Sequence, residues 1–450
     1  MSKTKHIKWL YKELPHLVGS GIIPAESKEK LHSYYGTPRE LNKQNVALVI
    51  FSVLGAVLIG SGTILVLAHN WDNLSRALRT CIAFAPLVAG QVLGVWVLLR
   101  KGESTAWRES VSVFIMLALG AVIALVSQIY HLGGDLDTFL LVWMLLSLPL
   151  VYIFSASLPA ILYMGGIAWW ALYYRIEQGG SLAWYWPVIA LVLPHILLVC
   201  RHDRYSVRAV FLQWALCLTV GLIPFGMCED QVIEGWPFVV FAGLFGVICL
   251  GGTFWKKDDV SLMRKPFEVI GCIGIIILAY ILTFSDVWDE ITPAYGYSAP
   301  DLRAVLISHD FLLGILLIIS VLILLAIMVR EKKLHRIELG IFPLLVFICF
   351  WLHAGGNWMN TADSSVLLCV VLFNIYLLAY GIYRIVQGIR VDSLFTVNTG
   401  MLLLALIIFT RFFDVDIGFL PKGIVFIMIG IGFLVTNIFL VNRRTRERVS

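Results

Sequence analysis

Apolar windows about as long as a bilayer-spanning helix recur along almost the whole of this chain, separated by short polar links. A hydrocarbon core about 30 Å thick needs roughly 20 mainly apolar residues to cross it as a helix. Fourteen such windows can be drawn, at 46 to 68, 81 to 99, 111 to 130, 139 to 154, 158 to 174, 184 to 200, 209 to 227, 236 to 255, 267 to 285, 309 to 329, 338 to 352, 364 to 383, 395 to 413 and 423 to 441. The fourth and eleventh are short enough to be tilted, half-buried or re-entrant, so 12 to 14 spans is the expected range. Composition agrees: 59% of residues are hydrophobic and 14% charged, against about 25% charged in soluble domains. The expected fold is all-α, a polytopic transmembrane helix bundle.

Positive charge supplies an independent test. With a cytoplasmic N-terminus, the inside segments hold the basic residues of 1 to 45, then Arg100, Lys101 and Arg108, then Arg201, Arg204 and Arg208. Lys256, Lys257, Arg264 and Lys265 follow, then Arg330, Lys332, Lys333 and Arg336, then Arg384 and Arg390, then Arg443, Arg444, Arg446 and Arg448. That places 28 of 34 Lys and Arg inside; Arg76, Arg79, Arg175, Arg303, Arg411 and Lys422 fall elsewhere. The positive-inside rule expects this bias, and removing one span would invert every later loop. Both termini are therefore expected in the cytoplasm. The net charge of +5 needs no nucleic-acid partner, because these residues act as topology signals beside an anionic leaflet.

The organisation expected is a cytosolic helical hairpin over 1 to 45, a bundle over 46 to 442 and a basic cytoplasmic tail over 443 to 450. No cleavable signal peptide is expected, since the first apolar run, at Val46, is a full-length span. In the hairpin, Ile7, Leu10, Leu14 and Leu17 recur at helical spacing. Gly19 and Gly21 break it, Pro24 opens a second helix, and Gly36 with Pro38 closes that helix. Leu31, Tyr34 and Tyr35 would meet the first helix. Such a unit is either a docking element for a cytosolic protein or a cap on the bundle. The eight cysteines stand singly, without a CxxC pair, and read as packing residues.

Outer loops are short, the longest being 286 to 308, so chemistry must use helix ends and the bundle interior. Ionisable groups in lipid cost on the order of 2.5 to 3.5 kcal/mol on insertion scales and usually face a cavity or a partner. The densest polar group closes the third window: Gln128, Tyr130, His131, Gly133, Gly134, Asp135 and Asp137. A continued helix would put Gln128, His131 and Asp135 on one face; a break at the glycines would free backbone groups to coordinate a ligand, as in transporters. His131 could exchange a proton near neutral pH, or could simply hydrogen-bond with Asp135 at the water boundary.

A second group, Thr410, Arg411, Asp414 and Asp416, closes the thirteenth window. Arg411 breaks the charge sorting, and Asp414, one turn on, is its obvious partner. The pair reads either as an internal tie or as an anion site. The chain also echoes itself: His131-Leu-Gly-Gly-Asp135 returns as His353-Ala-Gly-Gly-Asn357, 222 residues later. A parallel repeat would relate spans one to six to spans nine to fourteen, and transporters often place their sites between repeats. The candidate polar vestibule is thus Gln128, Tyr130, His131, Asp135, Asp137, His353, Asn357, Arg411, Asp414 and Asp416. No Walker, Rossmann, zinc-protease or nucleophile-elbow motif occurs, and no haem pattern. No catalytic residue, metal or cofactor is assigned.

Certain stretches carry a family resemblance: Leu17-Val-Gly-Ser-Gly-Ile-Ile-Pro24 with Leu31-His-Ser-Tyr-Tyr35, Gln128-Ile-Tyr-His131 with Gly134-Asp135, and Arg411-Phe-Phe-Asp414 with Lys422-Gly-Ile-Val-Phe426 and Gly430-Ile-Gly432. Together they resemble a bacterial family of multi-span membrane proteins that bears a domain-of-unknown-function label, number twenty-one fifty-seven. The likeness covers both ends and the third span; residues 160 to 340 carry no matching motif. It implies a protein of the bacterial cytoplasmic (inner) membrane and brings no activity or site residue with it.

Two functions fit these features. One is a secondary transporter or flippase with the polar outer vestibule named above. The other is a non-transporting scaffold or regulator that engages a cytosolic protein through residues 1 to 45. An intramembrane enzyme with His131 as acid or base lacks a recognisable nucleophile or metal cluster.

Overall fold

The computed structural model describes residues 10, 13–24, 26–27, 30–31, 71, 74–227, 235–253, 262–290, 306–331, 337–358, 362–391, 393–414, 424, 427 and 430–432, with backbone alone at 227, 355–358, 362–363 and 412–414. The chain divides into two units, Met1–Cys81 and Ile82–Ser450. In the first, residues 13–19 are helical and Leu14 is fully buried. Gly21 adopts φ 72°, and the N–H groups of Ile22 and Ile23 return to the Leu17 carbonyl at 3.1 and 3.3 Å. That ends the helix with a glycine in the left-handed region, where a Cβ is penalised. Tyr34, Tyr35, Gly36 and Pro38, the first window and most of the fourteenth lie outside the described residues.

All regular structure among the described residues is helical. The principal helices are α1 (Arg76–Arg100), α2 (Thr105–Tyr130), α3 (Leu136–Ile153), α4 (Leu158–Gln178), α5 (Tyr185–Ala190), α6 (Leu193–His202) and α7 (Val207–Leu222). They continue as α8 (Trp236–Thr253), α9 (Pro266–Ile281), α10 (His309–Arg330), α11 (Phe342–Trp358), α12 (Ala362–Arg390) and α13 (Leu394–Asp414). Each window from the second to the thirteenth coincides with one of these helices or with the α5–α6 pair. Nine helices among the described residues are long and apolar enough to cross a membrane, and ten when Leu182–Ala190 and Leu193–His202, bent by 44°, form one span. α4 is a further long helix whose inner face, from Pro159 to Ala171, is buried; α9 is apolar but shorter.

In lipid an apolar surface gains little by helix association, so close approach and hydrogen bonding decide the packing. Glycines set the tightest contacts. A Cβ on Gly271 of α9 would lie 2.6 Å from the Cys249 backbone of α8, and one on Gly400 of α13 would lie 2.7 Å from the Gly381 carbonyl of α12. α8 forms the interior axis: 72% of its spanning window is buried, against 22% for α3. It packs on α9, α10 and α11, while α7 links α9 to α4. The core around it holds Tyr163, Trp236, Trp288, Phe342 and Phe373. The described cysteines are free thiols, of which Cys217, Cys249, Cys349 and Cys369 are buried.

Links between helix ends sort into two sets. At one end the Trp214 indole donates to the Met263 carbonyl at 3.0 Å, the Tyr376 hydroxyl donates to the Glu338 carbonyl at 3.2 Å, and Arg208 meets Glu109 at 3.5 Å. At the other, the Trp186 indole donates to His309 at 3.0 Å, Trp236 donates to the Asp310 carbonyl at 2.9 Å, and Arg175 donates to the Gly226 carbonyl at 3.2 Å. The first end carries Arg201, Arg204, Arg264 and Lys265.

Candidate functional site

The polar residues that close α2 occupy a break between helices. His131 takes a left-handed conformation, φ 51° and ψ 43°, and its N–H returns to the Ser127 carbonyl. Gly133 and Gly134 follow at φ 67° and 131°, so α2 stops. The continuous face shared by Gln128, His131 and Asp135 does not form; the glycine break does. Asp135 is extended at the start of α3, with φ −89° and ψ 159°. Gln128, Tyr130, His131 and Asp135 are exposed. Asp137 lies in the first turn of α3, and its Oδ1 is buried without a hydrogen-bond partner.

Arg411 stands at a different junction, the C-terminal end of α9. Its Nε donates to the Asn374 Oδ1 of α12 at 3.1 Å, a terminal nitrogen donates to the Thr283 carbonyl, and the guanidinium lies 5.1 Å from the Phe284 ring centre. The neighbouring Thr410 hydroxyl pairs with that of Tyr280 at 2.6 Å. A cation at a helix C-terminus satisfies carbonyls that have no intrahelical donor, which gives a local reason for a basic residue against the general sorting. The Asp414 side chain and Asp416 lie outside the described residues, as does the side chain of Asn357.

His353 reaches the same junction. It is 1% exposed, its Nδ1 is 3.4 Å from the Ser365 hydroxyl, and its ring packs edge-on against Trp288 at 5.6 Å. Trp288 in turn donates to the Leu282 carbonyl at 2.9 Å. The segment 282 to 288 therefore ties His353 and Arg411 into one assembly, while Gln128 to Asp137 belong to the α2–α3 link. Among the described residues no group of three or more His, Cys, Asp or Glu is placed to hold a metal ion.

Two arrangements escaped the sequence reading. The sixth window, taken as one span, is broken. Pro194 has no N–H to give the carbonyl one turn before it, and the chain bends between Ala190 and Leu193. Hydroxyls from neighbouring helices serve the backbone there. Tyr163 of α4 donates to the Val188 carbonyl at 2.8 Å, and Tyr152 of α3 donates to the Leu191 carbonyl. Broken helices persist at membrane depth only where protein groups or a cavity satisfy them. Just past the break, His195 is 4% exposed, with Nε2 lacking a hydrogen-bond partner and its ring edge-on to Tyr152 at 6.2 Å. Pro187 and Pro194 inside one apolar window were the readable signal.

The second arrangement joins three links at the basic end. The Glu109 carboxylate accepts the Ser157 N–H at 2.8 and 2.9 Å and the Leu158 N–H at 2.7 Å. Arg208 bonds the Ser157 hydroxyl at 3.0 Å and the Ser155 carbonyl at 2.6 Å. Glu109 thus caps α4 from another helix, and Arg208 neutralises it. No motif announces this, because the partners are distant in sequence.

Residues 15–160 match the family described as "Predicted membrane protein (DUF2157)". The matched part holds the 17 to 24 turn, the α2–α3 break and Glu109, and leaves the broken sixth span and Arg411 outside. No curated protein and no solved structure matches the chain. The chain is thus similar over its first third to a family of predicted membrane proteins, and its apolar helices fit an integral membrane protein.

Proposed function

We propose that this protein is a secondary transporter or flippase of a bacterial cytoplasmic membrane, with both termini and the basic end of the bundle facing the cytoplasm. The observation that carries the reading is the broken span, α5–α6, packed against α4 and α3, with buried His195 beside the break. Discontinuous helices near the middle of the bilayer are the recurrent device for binding and moving polar cargo, since unwound backbone offers donors and acceptors that a regular helix hides. The tyrosine hydroxyls from Tyr152 and Tyr163 lower the cost of keeping that backbone open.

The outer vestibule consists of two parts. Gln128, Tyr130, His131, Asp135 and Asp137 form one at the α2–α3 break, and His353 and Arg411 at the end of α9 supply the other, to which we assign Asn357, Asp414 and Asp416 from their nearness in sequence alone. Alternating access would expose the break to each side in turn. In a cysteine-free background, Val192→Cys should react with an impermeant maleimide in both right-side-out and inverted vesicles. A static scaffold would be modified from one side or from neither, and that result would remove the transport reading.

A further inference from the structure

A small cleft open to solvent lies at the basic end of the bundle where α7, α8 and the start of α9 meet. Arg204, Arg264 and Lys265 line it, with Gln213, Gly252 and Glu268. Glu268 and Gln213 are 3% and 5% exposed, so its inner wall is made of polar groups removed from water. The Gln213 amide donates to the Arg204 carbonyl at 3.0 Å, which holds the Arg204 backbone at the rim. Gly252 keeps the space between α8 and α9: a Cβ there would lie 3.0 Å from the Glu268 nitrogen and 3.1 Å from its side chain.

Charge decides what such a pocket takes. Among the described residues that line it, three are basic and one is acidic, a balance that favours an anion. A guanidinium offers forked donors that match phosphate oxygens, and exposed Arg264 brings one to the rim. The flank is apolar and at the membrane boundary: Leu262 and Met263, in the turn that precedes Lys265, are 44% and 76% exposed. The Trp214 indole, bonded to the Met263 carbonyl at 3.0 Å, fixes that turn to α7.

We propose that this pocket is a binding site for a phosphate-bearing anion, with the headgroup of an anionic phospholipid as its source. The phosphate sits among Arg204, Arg264 and Lys265, and the acyl chains run along Leu262 and Met263. Basic pockets between spanning helices bind anionic headgroups in this way. The site is independent of the transport reading, since a lipid-bound scaffold would carry it equally.

The test is titration of the purified full-length protein in neutral detergent with phosphatidylglycerol, followed by native mass spectrometry. Phosphatidylcholine and inorganic phosphate form the parallel arms. Wild type is compared with Arg264→Gln/Lys265→Gln and with Arg201→Gln, an exposed arginine at the same end that does not line the pocket. The double variant should bind phosphatidylglycerol roughly tenfold more weakly, with Arg201→Gln unchanged and all three melting alike without lipid. Should the double variant melt lower on its own, Lys265→Gln alone is read by the same criterion. Phosphatidylglycerol binding that inorganic phosphate leaves in place assigns the site to lipid. Phosphate binding, lost in the variant, without lipid binding assigns it to a soluble phosphate compound. Equal losses in the pocket variant and in Arg201→Gln, or no loss in either, overturn the proposal.

Discussion

The Glu109 carboxylate, at the start of α2, bonds the Ser157 N–H at the start of α4 with both oxygens, at 2.8 and 2.9 Å. A side chain 48 residues away thus supplies the cap that Ser157, whose own hydroxyl is turned to Arg208, does not give. The contact draws the α1–α2 link, the α3–α4 link and the start of α7 to one point.

Glu109→Ala leaves the N–H groups of Ser157 and Leu158 without their acceptor and takes from Arg208 its charge partner, while the Ser157 hydroxyl and Ser155 carbonyl still accept from the guanidinium. Loss of a cap and of a largely buried charge partner should cost about 2 kcal/mol or more. Thermal unfolding in detergent should show a lower Tm. Arg208→Gln placed on top of Glu109→Ala should add much less than it does alone, because the two act as one unit.

Two glycines in helices predict opposite results for the same substitution. A Cβ on Gly400 would stand 2.8 Å from Ile385 Cγ1 and 3.0 Å from the Ile385 nitrogen. Gly400→Ala should force α12 and α13 apart, at a cost of about 1 to 3 kcal/mol. Gly165 has nothing within 4 Å of its Cβ position, so Gly165→Ala should be neutral or gain up to about 1 kcal/mol through helix propensity. Equal melting shifts in both would contradict the close-packed α12–α13 seam.

Tyr163→Phe removes the hydroxyl that serves the Val188 carbonyl and changes nothing else in shape. The Val188 carbonyl keeps the Leu191 N–H at 3.2 Å, so the loss is that of one hydrogen bond, about 0.5 to 1.5 kcal/mol. Hydrogen exchange over residues 188 to 192 should quicken, while exchange in α8 stays as in wild type. Unchanged protection at the break would mean that the tyrosine does not hold it.

Arg411→Gln and His131→Gly separate a structural tie from a strained turn. Arg411 joins α13 to Asn374 and Thr283, so the glutamine variant should melt several degrees lower. His131 sits at φ 51°, a region where a Cβ costs about 1 to 2 kcal/mol, so glycine there should melt unchanged or higher. If His131→Gly also abolishes vestibule function, stability and activity oppose each other at that residue, as expected of a working site.

Much of the architecture was legible in the residues. A window such as 309 to 329 has no alternative to a buried or lipid-facing helix, and Gly133 with Gly134 favoured the α2–α3 break over a continued helix. The site was less legible. Arg411 pointed to Asp414 by sequence spacing, yet its described partners come from α9 and α12, because side-chain reach in a bundle crosses helices as easily as it climbs one turn. His195 drew no attention, since a lone histidine in an apolar window has no local pattern.

Hydropathy is a property each residue carries wherever it lies, so the sequence by itself determined that the described segments are helical and apolar enough for lipid. Partnership is not such a property. Which carboxylate caps α4, which hydroxyls serve the break near Leu191, and which cations share the pocket with Glu268 depend on distances between segments tens to hundreds of residues apart. Those distances arise only when glycine seams and interhelical hydrogen bonds fix how the helices pack, and there the tertiary structure alone decides.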